Sequence, residues 1–420
     1  PVVFPLLPPE SLVPDYRGYC LSNVPHTIFS ILGLDDGGRS LPGDALGATE
    51  TSGTENVVLL LLDGLGYREW KKHEEDGFIG TISRKGHVRP ISTVFPTTTA
   101  AALTTISTGL TPQEHGLPEW YVYMKEIGEV IVTLPFARAG EPGRDTLVGA
   151  MDPRSLFDGP TIFDRLRAAG VRSTSLTNRA LAHTAYSEVA RHGSKVEPYI
   201  SASDLSVNLR KLVERAKGKN LFYVYWSFID TIEHSYGPNT DVASLEASLI
   251  SHALQEGFLS RLGHEAAKRT LVLVTADHGQ VNVDPKKTLY LNRFGKLVKA
   301  LSTNSSGKRI PPWGSARDCF ISVDEAHLDE AEAYLSRKLE GVASVLRTKD
   351  AIKLGLFGIN EPTRKFRRRV GNLMILPHGT NTVWYRYRKG DSLDLRGHHG
   401  GLSPDEMTIP LAAAKVSSLQ

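Results

Sequence analysis

The stretch RTLVLVTADHG, residues 269–279, decides the fold of this 420-residue chain. Residues 270–275 are all apolar or β-branched, a run too short for a membrane helix and typical of a strand buried on both faces. Asp277 and His278 follow this strand directly. Polar side chains at the carboxyl end of a buried strand lie where open α/β sheets place their ligands. Taken alone, a simple turn that caps the next element explains these two residues better.

Composition excludes several classes of protein. The chain has 49 basic and 46 acidic residues, a net charge of +3, and so neither a nucleic-acid-binding tract nor a polybasic membrane anchor. Cys20 and Cys319 are far apart and form neither a disulfide framework nor a thiolate metal site. No apolar run reaches the roughly 20 residues of a membrane span. The Pro-rich start lacks the layout of a signal peptide, so we expect a cytoplasmic protein, with a cleaved leader as the alternative.

The order of elements predicts an α/β fold. Residues 56–62 (NVVLLLL) and 221–229 (LFYVYWSFI) are further doubly apolar strands, and helical segments alternate with them. This pattern indicates a mostly parallel central sheet with helices on both faces. We expect residues 1–54 to form an arm that packs on the core. Residues 55–284 and 396–420 are predicted to form the main domain.

Residues 285–395 have a different sequence pattern. Their short predicted strands and helices indicate a smaller α+β insertion. Within it we expect a closing hairpin of residues 372–376 and 382–387 around Pro377-His378-Gly379. By position this insertion would cap the main domain or contact a partner, and we favour a cap.

Acidic and imidazole side chains recur at the ends of the apolar strands. Each has a plain alternative: Asp63 could open a turn, Asp230 could cap a helix, and His234 could lie on a helix surface. Asp230 and His234 are four residues apart, which on a helical turn puts both on one side. Together the acids and imidazoles could hold two divalent cations. They are Asp63, Asp230 with His234, Asp277 with His278, and the pair His398 and His399.

Oxygen and imidazole ligands without cysteine suit Zn²⁺ best, with Mn²⁺ or Fe²⁺ as alternatives. Two such cations about 4 Å apart fit in-line displacement at phosphorus. Thr97, Thr98 and Thr99 stand at a predicted helix N-terminus, where backbone N–H groups favour a phosphate. One of them could be the nucleophile; otherwise they cap the helix.

The motifs occur in the order found in one family. The chain resembles the type I phosphodiesterase/nucleotide pyrophosphatase branch of the alkaline phosphatase superfamily, over about residues 55–281 and 397–411. The resemblance therefore implies an alkaline-phosphatase-like fold. The motifs are Asp63-Gly64, Phe95-Pro96-x-x-Thr99, Thr108-Gly109, His115-Gly116, Asp230-x-x-x-His234, Asp277-His278-Gly279 and the late His-Gly.

The resemblance implies two zinc ions and a phosphothreonine intermediate formed on Thr99. One metal would be held by Asp230, His234 and His399. The other would be held by Asp63, Asp277, His278 and the Thr99 hydroxyl. His399 is preferred to His398 because the family pattern has His followed by Gly.

Two departures from the family affect the substrate. Ala100–Ala102 replace the Phe-Pro-Asn that follows the nucleophile in nucleotide pyrophosphatases, and no Asn stands near Trp120 and Tyr121. These two aromatic residues are candidates for the substrate pocket, although packing is the commoner role for aromatic residues in loops.

We expect an enzyme that cleaves a small-molecule phosphate diester or pyrophosphate. The alternatives are a phosphonate hydrolase or phosphomonoesterase of the same superfamily, and a non-catalytic metal-containing binding protein. No basic residue adjoins Thr99, which favours diesters over the dianionic monoesters. The oligomeric state is not predicted.

Overall fold

The computed structural model describes residues 6–420, so the first five residues of the predicted arm lie outside it. Its strands are β1 (Asn56–Leu62), β2 (His87–Ser92), β3 (Tyr121–Met124), β4 (Glu129–Val132), β5 (Ala137–Arg138), β6 (Arg172–Asn178), β7 (Lys195–Tyr199), β8 (Asn220–Trp226), β9 (Thr270–Thr275), β10 (Val281–Asn282), β11 (Leu289–Tyr290), β12 (Trp313–Gly314), β13 (Cys319–Ile321), β14 (Ala343–Arg347), β15 (Leu373–Pro377), β16 (Val383–Trp384), β17 (Gly397–His398) and β18 (Thr408–Lys415).

The helices alternate with the strands in the first half of the chain, and further helices lie in the second half. They are α1 (Val24–Ile31), α2 (Tyr67–Lys72), α3 (Gly77–Lys85), α4 (Thr99–Thr108), α5 (Pro112–His115), α6 (Ile162–Ala168), α7 (Ala185–Ala190), α8 (Ala202–Arg215), α9 (Phe228–Tyr236), α10 (Asp241–Gly257), α11 (His264–Lys268), α12 (Gly295–Ala300), α13 (Leu328–Lys338), α14 (Thr348–Lys353), α15 (Arg364–Arg367), α16 (Pro404–Met407) and α17 (Val416–Leu419).

The main sheet has seven strands in the order β2-β18-β9-β1-β8-β6-β7. Six of them run in one direction, and β18 alone is reversed, pairing antiparallel with both β2 and β9. Every residue of β1, β8 and β9 is buried, so both faces of the sheet are covered. This is the burial that their continuous apolar sequences require. The predicted α/β class with a mostly parallel sheet is confirmed.

A second sheet, also of seven strands, has the order β14-β15-β13-β12-β3-β4-β5. All of its described pairings are antiparallel. Four of its strands come from the predicted insertion, but β3, β4 and β5 come from residues 121–138, within the segment assigned to the main domain. The alternating pattern of this hairpin explains the join: Val122 and Ile131 pack in the main core, whereas Tyr123 and Val130 pack in the core of the second sheet.

The predicted hairpin around Pro377-His378-Gly379 is wrong. β15 pairs with β13 and β14, whereas β16 pairs in parallel with β11. The Pro-His-Gly segment therefore connects two different sheets. Sequence spacing suggested a turn but carried no information about the partner of the second strand.

Two further features tie the molecule together. Tyr16, Cys20 and Val24 of the arm are buried in the core of the main sheet. Between the two sheets, Arg317 donates to both carboxylate oxygens of Glu406, at 2.9 and 2.8 Å, and both side chains are almost wholly buried. Within residues 6–420, no helix has the length and hydropathy of a bilayer span.

Replacing Arg317 by Met will leave the Glu406 carboxylate buried without its cation. We expect the free energy of unfolding to fall by about 3–5 kcal/mol, measured by urea denaturation. The control is Arg68→Met, which removes the exposed partner of the neighbouring Asp405 and should cost about 0.5 kcal/mol or less. Equal effects of the two substitutions would contradict this view of the buried pair.

Candidate active site

The predicted site residues meet at one edge of the main sheet. Asp63 follows β1 and Asp277 lies just beyond the end of β9, and the two strands are neighbours. Asp230 stands in α9, which begins directly after β8, the other neighbour of β1. Because the carboxyl ends of parallel strands share an edge, three side chains spread over more than two hundred positions of the sequence are brought together. Gly64 has a φ of 80° here, and a Cβ on it would lie 2.9 Å from the Cα of Asp230.

The first group of ligand atoms surrounds His278 Nε2. This nitrogen lies 3.1 Å from Thr99 Oγ1, 3.2 Å from Asp277 Oδ2 and 3.6 Å from Asp63 Oδ1. The Oδ1 atom of Asp63 and the Oδ2 atom of Asp277 are buried and have no hydrogen-bond partner. The other oxygen of each carboxylate is engaged, by Tyr225 for Asp63 and by the amide of Gly64 for Asp277. The unpartnered oxygens thus face a common point.

The second group joins Asp230, His234 and His399. The Nδ1 atoms of His234 and His399 contact the carbonyl oxygens of Gly397 and Thr97, both at 2.8 Å. A carbonyl only accepts, so each Nδ1 carries the proton and each Nε2 presents a lone pair. The two Nε2 atoms are 3.1 Å apart, and Asp230 Oδ1 lies 3.4 and 3.6 Å from them. Two Nε2 atoms that face each other beside a carboxylate suit a bound cation between them.

The electrostatics of the site point the same way. Burial, followed by the charges of Asp277 and Asp230, raises the pKa of Asp63 well above its usual value. Burial, followed by the neighbouring His278 and His234, lowers the pKa of His399 well below its usual value. Protein groups alone therefore leave the Asp63 carboxyl crowded by like charge and the His399 imidazole neutral, and a bound divalent cation would relieve the crowding.

The donor set fits two divalent cations. Ligand atoms of Asp230, His234 and His399 lie within 4.8 Å of one another, and so do those of Asp63, Asp230 and His278. Asp230 belongs to both groups, which places it between the two positions. All donors are oxygen or imidazole nitrogen, as Zn²⁺ sites without thiolates require.

The three threonines have three separate roles. Thr97 Oγ1 donates to the carbonyl of Gly401 and accepts from the amide of Gly400, both at 2.9 Å. Thr98 is the N-cap of α4 and accepts from Ala101. Thr99 alone turns its hydroxyl to His278. Thr98 therefore fills the helix-capping role that was the alternative for these threonines. The Thr99 hydroxyl is not needed as a cap and faces the ligand atoms instead.

His398 lies beside the ligand groups without joining the described contacts of their Nε2 atoms. Its Nδ1 atom contacts the backbone of His399, at 2.8 Å to the carbonyl and 2.9 Å to the amide. Burial lowers its pKa to about 3. His398 and His399 thus differ in how they meet His234: His399 brings its Nε2 atom to 3.1 Å from that of His234, whereas the His398 ring lies edge-on to it with centroids 5.7 Å apart.

Several supporting residues were not predicted from the sequence. Tyr225 donates its hydroxyl to Asp63, and Gln280 donates to Asp230 Oδ1 at 2.6 Å. Tyr225 was hidden in the apolar run of β8, where a tyrosine resembles a packing residue. Gln280 follows Asp277 by three positions, and that proximity was the available signal.

Trp120 and Tyr121 lie at a cavity of about 280 Å³ that opens beside Thr99. The cavity also contacts Asp230, His234 and His399, so the ligand groups form one end of it. The cavity is also lined by aromatic and aliphatic side chains, among them Trp384, Leu393 and Leu395, and by the buried residue Glu119. The two aromatic residues suggested by the sequence therefore do adjoin the candidate site.

Known proteins resemble this chain in sequence and in structure. A venom phosphodiesterase from Crotalus durissus collilineatus is 23% identical over 314 residues, which cover 70% of this chain and 36% of the venom protein. The structure of murine ectonucleotide pyrophosphatase/phosphodiesterase 5 has a TM-score of 0.63 and 18% identity, covering 85% of this chain and 87% of that one. An inactive variant of that protein was solved in complex with AMP.

Phosphonoacetate hydrolase from Sinorhizobium meliloti 1021 has a TM-score of 0.61 and 17% identity, over 87% of this chain and 94% of that one. At this level of identity the structural matches establish the fold. The named relatives, a venom protein and ectonucleotide pyrophosphatases, lend no support to the cytoplasmic location, which stays a prediction.

The family model for type I phosphodiesterase/nucleotide pyrophosphatase matches residues 57–402, most of the chain, and the motifs quoted above lie within that range. The predicted family is confirmed: the chain belongs to the type I phosphodiesterase/nucleotide pyrophosphatase family.

Proposed function

We propose that this protein is a two-zinc hydrolase that cleaves phosphodiester or pyrophosphate bonds in small molecules through a phosphothreonine intermediate. The observation that carries the proposal is the convergence on one point of donor atoms from Asp63, Asp277, His278 and Thr99. The two carboxylate oxygens among them are buried and have no hydrogen-bond partner. Membership of the phosphodiesterase family supports the reaction class. Mn²⁺ and Fe²⁺ remain alternatives to zinc.

The proposed mechanism assigns one role to each group. Two divalent cations, when bound, supply positive charge that favours an ionised hydroxyl and neutralises the phosphoryl oxygens. Thr99 Oγ1, having given its proton to water, forms a bond to phosphorus while the bond from phosphorus to the leaving oxygen breaks, and the leaving oxygen takes a proton from water. Water then cleaves the phosphothreonine ester and restores the Thr99 hydroxyl. Tyr225 and Gln280 hold the carboxylates of Asp63 and Asp230 in position.

We further propose that residues 285–395 serve as a cap over this site. Gly314, Ser315, Ala316, Trp384 and Leu393 of this segment line the cavity beside Thr99. The cap would exclude water from the reacting phosphorus and select the substituents of the substrate. Residues 121–138 share the second sheet with this segment, and we propose that they belong to the cap as well.

The cavity favours diesters over the two alternatives within the superfamily. Among the described residues, those that line it include neither Lys nor Arg. A monoester dianion carries a further charge, and phosphonoacetate carries a carboxylate, so both would call for a basic side chain in the cavity. The position of Thr99 speaks against a non-catalytic metal-containing binding protein. Thr98 already caps α4 and Thr97 already holds the segment of Gly400 and Gly401, so no structural role is left for the Thr99 hydroxyl.

Asp277→Asn and His399→Ala should each remove bound metal and lower kcat/KM by more than about 100-fold, the loss that even outer partners of metal ligands can cause. Metal content is measured by elemental analysis of the purified protein. His398→Ala is the matched control and should retain most of both metal and activity. Loss of metal from His398→Ala with none from His399→Ala would reverse the assignment.

Thr99→Ala should lower kcat by at least about 1,000-fold, as removal of a nucleophile does in other hydrolases. Asp63, Asp277 and His278 remain as donors, so most of the bound metal should stay. The measurement then separates a loss of reaction rate from a loss of metal. Thr108→Ser, at the far end of the same helix, is the control. Full activity in Thr99→Ala would refute the phosphothreonine intermediate.

With zinc present, the wild-type protein should cleave bis(p-nitrophenyl) phosphate faster than p-nitrophenyl phosphate. The reason is that no basic side chain lines the cavity to receive the additional charge of the monoester. Release of p-nitrophenol at equal substrate concentrations measures both rates. The opposite preference would favour the phosphomonoesterase alternative.

A further inference from the structure

Helix α10 has apolar side chains on two opposite faces. One face packs in the core of the main sheet through Ala247, Ile250 and Leu254. The other face points to solvent, although its side chains are also large and apolar. Its residues are Val242, Leu245 and Leu249, which are 44%, 59% and 54% exposed. Packing within the chain therefore explains the first face and leaves the second without a partner among the described residues.

The exposed residues have the spacing of a helix–helix seam. Leu245 and Leu249 follow Val242 by three and seven positions, which is the a-d-a pattern of a heptad repeat. The next d position is His252, which is exposed as well. Ala247, of the face in the core, takes the f position, which points away from the seam in a pair of helices. The helix thus packs on the core with its outer side and presents a seam to solvent.

The charges around α10 favour a second copy of this chain as the occupant of the seam. Asp241 is exposed at the amino end of the helix. At its carboxyl end, Arg210 of α8 donates to the carbonyl of Gly257 at 3.2 Å. Two copies packed antiparallel bring the acidic end of each helix to the basic end of the other. An anionic membrane would be repelled, because α10 carries three acids and neither Lys nor Arg.

The register of such a pair follows from the repeat. A two-fold axis that crosses the helix places Leu245 of each copy opposite Leu249 of the other. His252 then lies opposite Val242 of the second copy and beside its Asp241. The Nδ1 atom of His252 is taken by the carbonyl of Ser248 at 2.8 Å, which leaves Nε2 to meet that carboxylate. Both leucine layers and both ends of the seam are therefore self-complementary, as a two-fold interface requires.

We propose that two copies of this chain form a dimer by packing α10 antiparallel against α10 across a two-fold axis. A helix of 17 residues offers a face about 25 Å long and about 10 Å wide. This is smaller than the roughly 800 Å² per partner of a standard interface. The dimer is therefore in exchange with the monomer, with a Kd on the order of micromolar.

Sedimentation velocity measures the dimer directly. With the wild-type protein at about 1 to 200 µM, we expect the weight-average mass to rise from one chain towards two. Leu245→Glu and Leu249→Glu each put a charge into the seam and should raise Kd by at least about tenfold. Val148→Glu is the matched control: it changes a residue that is 60% exposed beyond β5 and should leave Kd unchanged. Far-UV circular dichroism verifies that each variant is folded.

Cysteine cross-linking tests the antiparallel arrangement. Cys20 and Cys319 are fully buried, so a cysteine introduced on the surface reacts without competition from them. An equal mixture of Leu245→Cys and Leu249→Cys should form disulfide-linked dimers faster on mild oxidation than either variant alone. The reason is that position 245 of one copy faces position 249 of the other. Faster cross-linking within each variant alone would indicate parallel helices and overturn the arrangement.

Two further outcomes would overturn the dimer itself. One is a wild-type protein that stays monomeric at the highest concentration, or whose self-association survives both glutamate substitutions. The other is a mass that grows beyond two chains, because a contact between different surfaces does not close. The seam contains none of the candidate metal ligands, so these results do not depend on whether the diesterase assays succeed.

Discussion

The convergence of three carboxylates at one edge of a buried sheet is the constraint on which this structure depends. Asp63, Asp230 and Asp277 repel one another, and burial makes that repulsion expensive. The nearby imidazoles of His234 and His399 do not separate these carboxylates, because both rings turn Nε2 into the same space. Holding these groups together therefore lowers the stability of the fold unless cations bind between them. Such a site is built for metal rather than for stability.

The surroundings are organised to keep that site rigid. The continuous apolar strands β1, β8 and β9 fix the main-chain positions of the acids. Beyond them, Tyr225 and Gln280 orient two of the carboxylates, and Thr97 joins the start of α4 to the segment that carries His399. The Arg317–Glu406 pair then anchors the second sheet to the first. The sheet fixes the backbone of the acids, and their hydrogen-bond partners then fix the carboxylate groups.

Sequence reasoning succeeded where local pattern and function coincide. The limits of β9, residues 270–275, follow from its apolar run, and Asp277 and His278 follow from their position after it. It failed where a partner lies far along the chain. The pairing of β16 with β11 and the addition of residues 121–138 to the second sheet depend on tertiary packing that no short pattern records.

The position of β18 has a consequence for how this molecule is made. This strand lies between β9 and β2, although it comes from residues 408–415 and its neighbours come from 270–275 and 87–92. As the chain leaves the ribosome, β9 waits with one edge unpaired until more than a hundred further residues have been synthesised. An open apolar edge of this kind recruits strands from other chains. Chaperones that shield nascent chains would thus matter most during that interval, before the last strand enters the sheet.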